Sequence, residues 1–141
     1  MKLDYKIMGI PQRKENIDIL KKQLDLTSDD VFLDTECRKN PMWTWKQTAR
    51  LKVDDDITHR VIIQDDTILC DDFKQFCEYL VKRFPDAIWM LYNHKDLTNR
   101  IPKYVVFRPG CCMGGVASII PIKYINDIIR NIVFFICRLP V

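Results

Sequence analysis

Apolar positions along the first 92 residues come in short runs whose period changes in a regular order. Tyr5 to Ile10 is an apolar run closed by Pro11, which predicts a first strand. From Lys14 to Leu24, Ile17, Leu20 and Leu24 fall on one helical face. Val31-Phe32-Leu33 predicts a second strand that ends at Asp34. Asn40-Pro41 reads as an N-cap followed by proline at the first helical position. The helix it opens is expected to run from Pro41 to about Val53, with Met42, Trp45 and Ala49 turned inward. Val61-Ile62-Ile63 has no alternation, which fits a strand covered on both faces. Asp71-Asp72 then precedes Phe73, Phe76, Cys77, Leu80, Val81 and Phe84, a helical stripe stopped by Pro85. Ala87 to Tyr92 predicts a fourth strand.

Beyond Tyr92 the pattern weakens. Asn93 to Arg100 is polar and predicts a loop, Tyr104 to Phe107 a strand, and Pro109 to Gly115 a turn-rich segment. Val116 to Ile120 predicts a short strand. Ile122, Ile125, Ile129, Ile132 and Val133 share one face of a last helix starting near Pro121. Strand and helix alternate through the first 92 residues, so the expected fold is α/β, a mostly parallel sheet with helices on both faces. There is no internal repeat, low-complexity stretch or linker, and one domain is expected over residues 1–141.

Composition changes this picture little. An apolar content of 48% against 29% charged is enough to build a core in a water-soluble chain. The net charge of +3 comes without any Lys/Arg block, so nucleic acid is not an expected partner. Ile132 to Cys137, the most apolar stretch, is too short to span a bilayer, and no transmembrane segment is expected. It reads as a last strand, a helix end or a contact surface, through which the chain would form a homo-oligomer. Cys37, Cys70, Cys77, Cys111, Cys112 and Cys137 include no Cys-x-x-Cys pair, and the N-terminus carries no cleavable apolar segment. They read as reduced thiols of a cytoplasmic protein.

The candidate chemistry lies where the strands end. In open parallel sheets ligands bind outside the carboxyl ends of the strands. Here those ends read Pro11-Gln12-Arg13, Asp34-Thr35-Glu36 and Gln64-Asp65-Asp66. Two adjacent carboxylates after a buried strand are costly unless positive charge lies between them. A magnesium or manganese ion bridging a diphosphate supplies such charge, since hard cations share carboxylate and phosphate oxygens. The plainer alternative is that Asp65 and Asp66 only open a turn. Asp54-Asp55-Asp56 lies between a helix and a strand, at the opposite end of the sheet, and reads as a solvated loop. His59 beside Arg60 reads as a solvated turn. Trp45 and Trp89 read as core, while Trp43 lies off the apolar face and near the proposed pocket.

In order along the chain, several segments resemble glycosyltransferases with the A-type fold, the nucleotide-diphospho-sugar transferase superfamily. Met8-Gly9-Ile10-Pro11-Gln12-Arg13 is similar to their opening strand and Pro-x-Arg turn, and Asp34 to the acidic end of their second strand. Asn40 to Ala49 resembles the helix that follows. Val61 to Phe73, containing Gln64-Asp65-Asp66, resembles their acidic strand end, a local form of the DxD motif. Gly114 to Pro121 is similar to a later glycine-containing strand. The resemblance implies a Rossmann-like core, a nucleotide-diphosphate sugar donor, a divalent metal (Mn or Mg) and an acceptor it does not identify. It implies that Pro11, Arg13 and Asp34 line the nucleotide pocket, with Trp43 stacking and Lys46 approaching the phosphates. Asp65 would face the sugar or ribose and Asp66 the metal, with Asp65 a second candidate metal ligand.

No catalytic base is legible. Asp96 and Asp127 are the only side-chain carboxylates after Asp86, and His94 is the only histidine after the acidic pair. Two further readings therefore stand beside a metal-dependent transferase: a module that binds a nucleotide or nucleotide sugar without turnover, and an interaction protein that keeps only the fold.

Overall fold

The computed structural model describes residues 1–91 and 117–131. The expected loop at 93–100, strand at 104–107, turn at 109–115 and apolar run at 132–137 lie outside the described residues. The elements are β1 (Leu3–Gly9), α1 (Lys14–Leu24), β2 (Val31–Leu33), α2 (Pro41–Ala49), β3 (His59–Gln64), α3 (Phe73–Arg83), β4 (Trp89–Leu91), β5 (Ala117–Pro121) and α4 (Ile122–Asn131). A short 3-10 turn, Pro11–Arg13, leads from β1 into α1.

The strands form one sheet in the order β2-β1-β3-β5-β4. β2, β1 and β3 are parallel, with Ile7 opposite Val31 and Ile63. β5 is antiparallel to both β3 and β4, so the sheet is mixed and only its β2-β1-β3 half is purely parallel. β4 lies one strand away from β3, and β5 fills the place between them. Period-two alternation then divides the core. Tyr5, Ile7, Val61, Ile63 and Ile119 face α1 and α3. Met8, Ile62 and Ile120 face α2 and α4. The apolar run in β3 is buried on both faces, as its lack of alternation implies. No helix among the described residues is long and apolar enough to cross a membrane.

Three local expectations are corrected. α2 stops at Ala49, short of Val53, because Arg60 takes the carbonyls of Ala49, Leu51 and Lys52 at 2.7, 2.8 and 3.0 Å. Its buried face is Thr44, Thr48 and Ala49, and Met42 is exposed. The two threonine hydroxyls donate back to the carbonyls of Asn40 and Thr44, so a polar face is buried with its hydroxyls satisfied. On α3, Phe73, Cys77, Leu80 and Val81 are buried, while Phe76 is exposed and Phe84, also exposed, lies just past the last helical residue.

His59, beside Arg60, is also not a solvated turn residue. Both lie in β3 opposite Leu3 and Asp4, and both are buried. His59 Nε2 lies 2.8 Å from the Pro85 carbonyl, and Nδ1 lies 2.9 Å from the Thr58 hydroxyl. Arg60 donates Nε and Nη2 to Asp4 Oδ2 at 2.8 and 2.6 Å. Lys6, on the same sheet face, bridges Asp4 at 3.1 Å and Asp30 at 2.6 Å. Each buried charge is thus paired, as burial demands.

Candidate functional site at the strand ends

α1 carries the chain from β1 to β2 on one side, and α2 carries it across β1 to β3 on the other. The strand order therefore reverses between β1 and β3. In open α/β sheets the crevice outside such a switch point is where ligands bind. A cleft of about 310 Å³ opens there. Its floor is Met8 and Gly9 from the end of β1, Ile10 just after it and Gln64 from the end of β3. Its walls are Arg13, Asp34, Asp65 and Asp66, together with Lys39, Asn40, Pro41 and Thr44 at the start of α2.

Backbone hydrogen bonds fasten the three strand ends to each other. The Asp34 amide donates to the Gly9 carbonyl at 2.8 Å, and the Asp65 amide donates to the Met8 carbonyl at 3.0 Å. Asp65 is 6% exposed, and both its oxygens are engaged. Oδ2 accepts from the Ile10 amide at 2.9 Å, and Oδ1 accepts from Arg13 Nη1 at 2.9 Å. The same Nη1 lies 3.2 Å from Asp66 Oδ2, and the Asp66 side chain is half exposed. The hydrogen bond and charge of Asp65, with a smaller share from Asp66, raise the Arg13 guanidinium above its ordinary value. Positive charge between the two carboxylates, required by the sequence argument, is thus present in the chain itself.

Asp34 is 2% exposed and is likewise committed. Oδ2 accepts from the Arg38 amide at 2.8 Å and Oδ1 from Arg38 Nη1 at 3.2 Å. The Arg38 guanidinium also reaches Glu36 at 2.5 Å and stacks 3.9 Å from the centre of the Trp43 ring. Phe32 meets the same ring edge-on at 5.7 Å. The loop from Asp34 to Asn40 contains two left-handed residues that are not glycine, Cys37 (φ 48°) and Lys39 (φ 52°). At α2, the Asn40 side chain caps the Trp43 amide at 3.0 Å.

Of the residues singled out from sequence, Arg13, Asp34, Asp65 and Asp66 converge in the cleft. Pro11, Trp43 and Lys46 do not line it. Pro11 is exposed in the 3-10 turn, Trp43 packs behind the wall against Phe32 and Arg38, and Lys46 lies one turn into α2. Sequence reasoning missed Arg38, whose four-residue spacing from Asp34 specifies no geometry in a loop. It also missed Lys39 as a lining cation; Lys39 makes no ion pair among the described residues. Gly9 was legible in principle, because a glycine in a strand marks a close backbone approach.

The donor set fits a divalent cation only in part. Asp66 Oδ1 is the one cleft carboxylate oxygen without a protein partner among the described residues. No three metal-ligating side chains converge there or elsewhere among those residues. Magnesium commonly takes one or two carboxylates and completes its shell with phosphate oxygens and water. The cleft therefore suits a cation shared with a diphosphate better than one held by protein alone. A second depression, of about 260 Å³, lies between the end of α1 and the start of α3. Its lysine, Lys74, is engaged with the Leu24 carbonyl at 2.7 Å.

No protein-family model, curated protein or solved structure matches this chain.

Proposed function

We propose that this chain is a glycosyltransferase-like protein that binds a nucleotide-diphosphate sugar in the switch-point cleft and passes the sugar to an acceptor. The observation that carries the reading is the convergence of Arg13, Asp34, Asp65 and Asp66 at the reversal of strand order. In this reading Lys39 and Arg13 face the diphosphate, the amino end of α2 adds its dipole, and Asp66 presents the oxygen for a divalent ion. The ion, when bound, offsets charge on the leaving diphosphate. Asp65 is a positioning residue, since its oxygens fix Arg13 and the turn after β1.

Binding without turnover is the second reading, and one observation favours it. Asp34 and Asp65 have both oxygens committed, so neither is placed as the base for an acceptor hydroxyl.

A thermal-shift screen of nucleoside diphosphates and nucleotide sugars, with and without manganese, tests both. A ligand of the native state raises the melting temperature by mass action. The expected result is a shift with at least one nucleotide, lost in Asp65→Ala/Asp66→Ala protein that remains folded. Absence of any shift across the panel would overturn the proposal. Release of free sugar from a bound donor separates transferase from binding module.

A further inference from the structure

Each carboxylate that lines the cleft is already paired with an arginine: Asp65 and Asp66 with Arg13, and Asp34 with Arg38. A nucleoside diphosphate entering alone reaches a guanidinium, that of Arg13, of which Nη1 alone is engaged among the described residues, but meets the negative charge of Asp65 and Asp66 beside it. A divalent cation entering alone finds Asp66 Oδ1 without a partner among the described residues, but meets the positive charge of that guanidinium on Oδ2. Either ligand alone thus sets like charges side by side in a partly buried cleft, where repulsion is weakly screened. When both enter, the charges balance: the cation takes the aspartate side and Arg13 turns to the phosphates. Arg13 suits such a swap, since its side chain is 44% exposed, against 8% for that of Asp65, and it lies on a short 3-10 turn.

From this geometry we propose that Arg13 is a resident counter-ion that makes divalent-cation and diphosphate binding mutually dependent. The proposal rests on the nucleotide-sugar reading of the cleft and specifies how that site is regulated.

The experiment is isothermal titration of wild-type protein, Arg13→Ala and Arg13→Gln with manganese chloride alone. The same proteins are titrated with the nucleoside diphosphate that gives the largest thermal shift, in the absence and presence of manganese. Circular dichroism first checks that each variant folds, and Arg13→Gln keeps a donor for Asp65 if Arg13→Ala loses the turn. In the wild type, manganese alone is expected to bind at least tenfold more weakly than in the presence of nucleotide. Both variants are expected to bind manganese alone at least tenfold more tightly than the wild type, and Asp66→Asn in the Arg13→Gln background to lose that gain. Nucleotide affinity falls in the variants because the phosphate contact is gone. Unchanged or weaker manganese binding in both variants, with wild type still binding nucleotide and manganese together, would overturn the counter-ion role and leave the site reading intact. Wild type that binds no nucleotide under any condition would overturn the site reading on which the proposal rests.

Discussion

Gly9 and Asp65 are packed so closely that position 9 admits no side chain. A Cβ built there would lie 2.9 Å from Asp65 Oδ2, 3.0 Å from Asp65 Cβ and 2.8 Å from Ile17 Cδ1. The requirement is one of space, because Gly9 has no left-handed backbone conformation. The Ile17 methyl can swing aside, but Asp65 is fixed by the Ile10 amide and Arg13. Gly9→Ala is therefore expected to cost about 1–3 kcal/mol, the usual range for overpacking a well-fitted site. It should also weaken ligand binding by displacing Asp65. Urea denaturation measures the first effect and titration the second; full stability with a native cleft would show that Asp65 moves freely.

Arg60 is the residue whose loss should be felt most in the fold. It is 1% exposed, and it ties β3 to Asp4 on β1 and to the carboxyl end of α2. Arg60→Ala leaves a paired carboxylate and three carbonyls without their donor, which costs about 3–5 kcal/mol. Against a total stability of about 5–15 kcal/mol, that threatens folding itself. Arg60→Lys is expected to recover only part of the loss, since one ammonium cannot replace the planar fork. Denaturation midpoints of the two variants rank the effects.

These two residues show why sequence carried the frame further than the site. Apolar periodicity depends on local geometry, so α1 is found from Lys14 to Leu24 and β2 from Val31 to Leu33, as expected. The strand ends were legible for the same reason: once β1, β2 and β3 are parallel, Arg13, Asp34 and Asp65 must share an edge. Partner choice across the chain is a long-range property. Nothing beside Arg60 in the sequence marks Asp4 or the carbonyl of Ala49 as its partners, and nothing beside His59 marks the Pro85 carbonyl, so a buried histidine read as a solvated turn residue. Arg38 is similar, since its pairing with Asp34 depends on two left-handed residues in the loop between them and α2. The antiparallel β5 was also hidden, because periodicity carries no strand direction.

Asp30 should make stability depend on pH. Burial opposes its ionisation, but hydrogen bonds from Lys6 and Thr27 outweigh burial and hold its carboxyl below the ordinary 3.8. A carboxylate with a depressed native pKa stabilises above its unfolded pKa, and that contribution is lost as pH falls toward the native value. The stability gap between wild type and Asp30→Asn is thus expected to be full above about pH 5 and to shrink steadily below pH 4. Chemical denaturation of both proteins across that range reads the gap directly; a gap independent of pH would mean that Lys6 is held by Asp4 alone.

The end of α1 offers a stabilising change. Asp25 adopts φ 57° and ψ 52°, and the Leu26 amide reaches the Lys21 carbonyl at 2.9 Å, which is a Schellman closure. Glycine is the residue that takes this left-handed position without a Cβ penalty. Asp25→Gly is expected to add about 0.5–1 kcal/mol, less than the full left-handed cost of about 1–2 kcal/mol because glycine also loosens the unfolded chain. The melting temperature should rise by a few degrees.

The loop between β2 and α2 tests how the cleft wall is held. Its left-handed Cys37 and Lys39 each store about 1–2 kcal/mol of backbone strain, and Arg38 between them provides the anchors that offset it. Those anchors are the Asp34 carboxylate and the Trp43 ring. Arg38→Ala leaves Asp34 Oδ1 without its donor in a nearly inaccessible position, at a cost of about 1–3 kcal/mol. It also removes a stacking contact of about 0.5–1 kcal/mol. Because the backbone bond from residue 38 to Asp34 Oδ2 survives the substitution, the loop should loosen without the sheet coming apart. Amide hydrogen exchange is therefore expected to quicken at residues 35–40 and to stay slow in β1 and β3. Trp43→Phe keeps an aromatic face for Arg38 and should produce a smaller version of the same change. If Arg38→Ala left exchange in this loop unaltered, the anchor would have to lie in the backbone bond alone, and Asp34 would stand with one oxygen open to the cleft.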